Sequence, residues 1–115
     1  MRRGEVRWVD LDPARGSEAS KRRPAVVVSN DAANVAALAR GRGVVTVVPV
    51  TSNVAAVLPF QVLLPRRASG LAKDSKAQAE QVRAIAVERV GDLVALLPAA
   101  LLDELDDALR LHLGL

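Results

Sequence analysis

Hydrophobic residues fall in short runs separated by polar segments rich in Gly, Pro, Ser and Asn, a spacing that favours strands over long helices. Residues 5–11 read EVRWVDL, placing Val6, Trp8 and Asp10 on one face of a half-buried strand. A polar loop follows, opened by Asp12-Pro13 and ended by Arg22-Arg23-Pro24. Residues 25–28 are an unbroken apolar run, short enough for a strand buried on both faces. Asn30 and Asp31 cap a short helix predicted over 32–39, closed by Gly41 and Gly43. Residues 44–50 predict another buried strand, whose end Pro49 places at an edge or bulge. A fourth strand is expected at 60–64. Gly70 and the polar run 73–76 predict a second loop, followed by strand-like 81–85 and a short strand over 91–97.

The last segment changes period. Leu101, Leu102, Leu105, Ala108, Leu109 and His112 recur at helical spacing on one face, with Pro98 as the first residue of the helix. Asp103, Glu104, Asp106 and Asp107 lie toward the start and Arg110 toward the end, as the helix dipole prefers. The sum is a mainly β fold with α: one domain over 1–115, a small β-barrel with a short helix and an amphipathic C-terminal helix. That helix can pack on its own barrel or across a two-fold axis, and the sequence favours neither.

Composition removes several classes of chemistry. The chain has no cysteine and one histidine, His112, so thiolate and multi-histidine metal centres and paired-histidine catalysis are all excluded. His112 sits on the apolar helix face and reads as a packing or interface residue. No segment approaches the ~18 uninterrupted apolar residues of a membrane span. Arg2 and Arg3 could begin a signal peptide, but Glu5, Asp10 and Asp12 interrupt the apolar stretch that must follow. A soluble, cytoplasmic protein is expected.

Net charge is +3, unevenly distributed: residues 1–83 carry 14 Lys/Arg against 7 Asp/Glu, and residues 84–115 carry 2 against 6. A basic body suggests an anionic partner, although scattered surface charge accounts for it equally well.

Two polar segments interrupt the apolar strands. In the first, Gly16-Ser17-Glu18 leads to Arg23-Pro24, and the proline holds Arg23 extended at the entry of a buried strand. A guanidinium held there offers a planar fork matched to phosphate oxygens. In the second, Thr51-Ser52-Asn53 supplies three short polar side chains at a strand end. They suit a phosphate, a base edge or an ordinary turn.

Taken together and in order, these segments resemble the MazF/PemK toxin family. The resemblance runs through Gly4-Glu5-Val6, Asp10-Leu11-Asp12-Pro13, Gly16-Ser17-Glu18 and Arg23-Pro24-Ala25-Val26-Val27-Val28-Ser29-Asn30-Asp31. It continues through Val48-Pro49-Val50-Thr51-Ser52, Gly70-Leu71, Asp74-Ser75, Glu80-Gln81-Val82-Arg83-Ala84-Ile85 and Glu88-Arg89-Val90.

The resemblance implies an SH3-like barrel of the CcdB/PemK type, forming a homodimer that binds single-stranded RNA in a groove between subunits. It implies a sequence-specific endoribonuclease that needs no metal or other cofactor and leaves a 2′,3′-cyclic phosphate and a 5′-hydroxyl. It also implies a small acidic, MazE-like antitoxin as partner. The family's catalytic arginine falls on Arg23 and its partner threonine on Thr51. The segment from Gly16 to Lys21, including Ser17, corresponds to a mobile loop that closes over RNA. Asn30, Ser52, Asn53, Ser75 and Gln81 match or adjoin groove positions.

An arginine stays protonated near neutral pH and cannot serve as the general base. Arg23 is therefore expected to stabilise charge and donate toward the leaving oxygen, with Thr51 fixing the phosphate. Glu18 is the candidate acceptor of the 2′-hydroxyl proton. Trp8 and Phe60 are the only aromatics, so base recognition is expected to lean on polar edges and arginines rather than on stacking.

Two other readings compete. A CcdB-like gyrase poison acts through an aromatic near its C-terminus, whereas this sequence runs His112-Leu113-Gly114-Leu115. A non-enzymatic SH3-like module presents an aromatic-lined groove, and two aromatics make a poor one.

Overall fold

The computed structural model describes every residue of the chain except Ala14 and Ser20. Seven strands, β1 (Glu5–Asp10), β2 (Arg22–Val27), β3 (Val44–Thr51), β4 (Gln61–Leu64), β5 (Ser75–Gln78), β6 (Arg83–Ala86) and β7 (Val90–Leu96), form one antiparallel sheet. Among the described residues three α-helices accompany it, α1 (Asp31–Arg40), the single-turn α2 (Arg66–Ser69) and α3 (Ala99–Leu113), with short 3-10 turns at Ala79–Gln81 and Val87–Arg89. The sheet order is β4-β5-β3-β2-β1-β7, with β6 paired to the first half of β3. Among the described residues β4 and β7 are the ends of the ladder, so the expected barrel is a strongly folded sheet that does not close by hydrogen bonds.

The central strands are buried on both faces, as their unbroken apolar runs require. Val26 and Val48 face one core together with Val6, Val50, Leu64 and Leu105. Ala25, Val27, Val45 and Val47 face a second core with Val9, Leu11 and Ile85. The period-two pleat assigns even positions of β1–β3 to the first core and odd positions to the second. Val6 and Trp8 do share a face, but Val9 on the other face is equally buried, so β1 lies between two cores rather than between core and solvent.

Pro49 is fully buried inside β3, which continues through Thr51. Residues 44–47 pair with β6 and residues 50–51 with β5. The proline, lacking an N–H, stands where β3 changes partner, an interruption within the strand rather than its end.

β5 occupies part of the segment 73–76 expected as loop, because its polar residues pair with both β3 and β4. Side chains there do not report strand pairing, since Lys76 is buried with its ammonium on the Ala56 carbonyl, 2.6 Å away. The single turn α2 carries no sequence signal beyond the preceding Pro65. Asn30 caps α1 as expected, its side chain accepting from the Ala33 N–H at 2.8 Å.

α3 begins one residue after Pro98 and buries Leu101, Leu105 and Ala108 against the first core, with Leu102 and Leu109 partly covered. Full burial of a leucine such as Leu105 contributes about 1.5–3 kcal/mol. His112 is exposed, its ring 6.1 Å from that of Phe60. Arg3 ties the helix to the body: its guanidinium bonds Asp106 at 2.6 Å and the Val28 carbonyl at 2.8 Å. Its backbone N–H bonds Asp31 at 2.6 Å.

Candidate active site

The site forms where β2 and β3 part. Their ladder pairs Val27 with Val47, Val26 with Val48 and Ala25 with Pro49. Continuing that register by one full pleat sets Arg23 opposite Thr51. At that level the strands no longer pair with each other: Arg23 pairs with Val9 of β1, and Thr51 pairs with Lys76 of β5. A fork in a sheet leaves space between two rigid strands, and here a cleft of about 410 Å³ opens into it.

The lining has two parts. Trp8, Pro24, Val50, Leu71 and Val94 make an apolar floor continuous with the first core, while Lys21, Arg22, Arg23, Lys73, Thr51, Ser52 and Ser75 supply the polar groups. The described residues of the lining include four cations and no carboxylate, so the cleft attracts a polyanion. A floor of side chains packed into the core holds the polar groups in place, which favours a preorganised site.

Thr51 is poised by its own turn. Its hydroxyl oxygen accepts from the Asn53 N–H at 3.2 Å, which leaves the hydroxyl proton available to donate. The Asn53 side chain in turn accepts from the Ala55 N–H at 3.3 Å. Gln61 accepts from the Leu58 N–H at 3.0 Å, and together with Lys76 on Ala56 it pins the segment that follows Thr51. Ser75 donates to the Lys73 carbonyl at 3.0 Å, shaping the opposite wall.

The loop between β1 and β2 borders the cleft through Lys21. Its base is closed by the Leu11 N–H on the Lys21 carbonyl, 3.0 Å, and by the Lys21 N–H on the Asp12 carboxylate, 2.7 Å. Gln81 holds the loop from the sheet side, accepting from the Ala19 N–H at 3.0 Å and donating to the Ser17 carbonyl at 2.9 Å. Gly16 takes a positive φ of 57° in the turn. Ser20 lies outside the described residues.

Of the residues singled out from the sequence, the fold gathers Arg23, Thr51, Lys21, Ser52 and Ser75 around one cleft, with Asn53 adjoining through Thr51. Glu18 is not part of the lining; it is exposed, and its carboxylate accepts from the Arg15 N–H at 3.0 Å. Gly16, Ser17 and Gln81 belong to the loop and its tether. Asn30 caps α1 instead of lining the cleft.

The sequence reading passed over Trp8, Arg22, Leu71 and Lys73. The strand pattern sets Trp8 on the face of Val6, and only the fold shows that the core ends before reaching it. Among the described residues no three His, Asp or Glu side chains converge as a metal site would require. No described helix is long and apolar enough to cross a membrane.

Comparison with known proteins agrees with this architecture. A model of the PemK-like, MazF-like toxins of type II toxin–antitoxin systems matches residues 2–113. Endoribonuclease MazF9 of Mycobacterium tuberculosis is 64% identical over 115 residues, covering 100% of this chain and 98% of that protein. The crystal structure of MazF from Deinococcus radiodurans superposes with a TM-score of 0.81 at 30% identity, covering 100% of this chain and 97% of the other. A MazE–MazF structure from the same organism gives a TM-score of 0.75 at 28% identity, covering 100% and 96%. With the fold matched throughout and the ordered motifs on the same scaffold, this chain belongs to the PemK/MazF family of toxins.

Proposed function

We propose that this protein is the toxin of a type II toxin–antitoxin system, a sequence-specific endoribonuclease that cuts single-stranded RNA in the cleft between β2 and β3. What supports the reading is that Arg23 and Thr51 line one cleft, beyond the last β2–β3 pair and among three further cations. Membership of a family whose members include endoribonucleases supports it.

The RNA's own 2′-hydroxyl attacks the adjacent phosphorus, and the bond to the 5′-oxygen breaks. The products are a 2′,3′-cyclic phosphate and a 5′-hydroxyl. The chain's task is to align nucleophile and leaving group and to stabilise the crowded, negatively charged phosphorus centre. The Arg23 fork spans two phosphate oxygens and donates toward the departing 5′-oxygen, which takes its proton from solvent. Thr51 donates its hydroxyl proton to the same phosphate. These donors need no metal.

Glu18 takes the 2′-hydroxyl proton in this scheme. It rides on the loop that Gln81 tethers, so RNA binding must draw that loop, with Gly16 and Ser17, over the cleft. Lys21, Ser52 and Ser75 grip the flanking backbone and bases, with Asn53 beside them. The chain acts as a homodimer in the cytoplasm, and a small acidic antitoxin of the MazE type covers the cationic cleft until it is released.

The direct test is incubation of the purified protein with a long RNA in EDTA, beside Arg23→Ala. Cleavage by the wild type, discrete cyclic-phosphate ends and no cleavage by the variant are expected. Intact RNA, or cleavage that Arg23→Ala leaves unchanged, overturns the reading.

A further inference from the structure

We infer that Trp8, oriented by Arg22, is a stacking platform for one unpaired base next to the phosphate held by Arg23 and Thr51. The inference rests on the RNA-cleaving reading above and assigns that site a base-binding surface.

Trp8 lies on the strand face that two residues earlier buries Val6 completely, yet it is 37% exposed and lines the cleft. A large indole left in solvent at the mouth of a cationic cleft has unsatisfied apolar surface. The Arg22 guanidinium lies over its ring, 5.3 Å from the centroid, a distance at which the cation and the π face attract. The pair thus presents a flat, positively charged surface, which suits a nucleobase and its phosphate. Trp8 pairs with Pro24, so the platform is one residue along the neighbouring strand from Arg23. Phe60, the other aromatic of the chain, packs near His112 and is not in the cleft lining.

The backbone around Trp8 is built to permit this pair. The β1–β7 register shifts on both sides of Arg7, and Trp8 falls at the irregularity. Gly91 sits against it: a Cβ there would stand 3.3 Å from the Trp8 carbonyl oxygen and 3.5 Å from an Arg22 guanidinium nitrogen. Bulges that re-aim a side chain gather beside active sites.

Trp8 is the only tryptophan of the chain, so its fluorescence reports on this surface alone. The probe is a 2′-O-methyl oligonucleotide carrying the motif that the wild type cuts, plus a set with one abasic position each. Quenching on binding is expected, with one abasic position losing both the quench and about tenfold or more in affinity. That position should cost Trp8→Ala nothing further. Trp8→Ala should raise KM about tenfold with a smaller effect on kcat, and Trp8→Phe should restore most of the loss.

Wild-type cleavage with unchanged KM in Trp8→Ala, or abasic effects equal in both proteins, overturns the stacking role alone. A wild type that cuts no RNA overturns the catalytic reading and the platform with it. If Trp8→Ala does not fold, the abasic scan on the wild type decides by quench, with Trp8→Phe compared by affinity. A scan with no position-specific loss of quench then overturns the inference.

Discussion

Arg23 and Thr51 line one cleft just beyond Ala25 and Pro49, the last pair of the β2–β3 ladder, where β2 stays on β1 and β3 has moved from β6 to β5. Two side chains brought opposite by strand register share a face and a level. The fork adds the gap that a paired ladder would have closed. In the proposed mechanism the scissile phosphodiester enters this gap, where the two strands have stopped hydrogen-bonding to each other.

That arrangement predicts non-additivity. Arg23→Ala and Thr51→Ala are each expected to lower single-turnover cleavage in EDTA by about 10²–10³-fold, the usual loss for one preorganised donor. The double variant should fall well short of the product of the two, because both act on one phosphate. Arg23→Lys should recover little, since a point charge cannot reproduce the fork. Fully multiplicative losses would place the two groups on separate tasks.

Glu18→Gln separates the proton acceptor from the charge stabilisers. If Glu18 takes the 2′-hydroxyl proton, cleavage should drop by about 10²–10⁴-fold, while affinity for a 2′-deoxy substrate analogue changes little. Rates near wild type across the pH range would remove Glu18 from the mechanism and leave the loop a binding role only.

Lys73 tests the rim. It lines the cleft and is exposed, so it should contact backbone rather than bases. Lys73→Ala should weaken binding of every sequence alike and reduce the slope of log affinity against log salt by about 0.7, the value for one single-strand phosphate. Selective loss at particular cut sites would instead make Lys73 a reader of bases.

Asn34 tests a polar network at the end of β2 and β3 remote from the cleft. It is fully buried, donates to the Ser29 carbonyl at 2.8 Å and accepts from the Ser29 hydroxyl, whose oxygen accepts from the Thr46 N–H at 3.0 Å. Asn34→Ala leaves the part-buried Ser29 hydroxyl and carbonyl without this partner and should cost about 1–3 kcal/mol in urea denaturation. Asn34→Asp should be at least as damaging, because it buries a charge and loses the donor. A change under 0.5 kcal/mol would show that the network is dispensable.

Local pattern was enough to place β1, β3, β4, β6, β7, α1 and α3 within a residue or two, because their apolar runs, their caps and the period of the last helix are properties of adjacent residues; β2 starts three residues before its apolar run, at Arg22. The same local pattern marked Arg23 before Pro24 and the Thr51-Ser52-Asn53 segment at the end of an apolar strand, while the pairing of Arg23 with Thr51 came from the family resemblance. β5 was hidden because Ser75 and Lys76 are polar, and strand pairing there is set by β3 and β4 on either side. The strand pattern put Trp8 on the face of Val6, where it is, but pleat alternation tells which face a residue is on and not where along that face the core stops. The cleft itself is a matter of tertiary structure alone. It exists because one strand changes partners partway along, and that choice depends on residues far apart in the chain meeting in three dimensions.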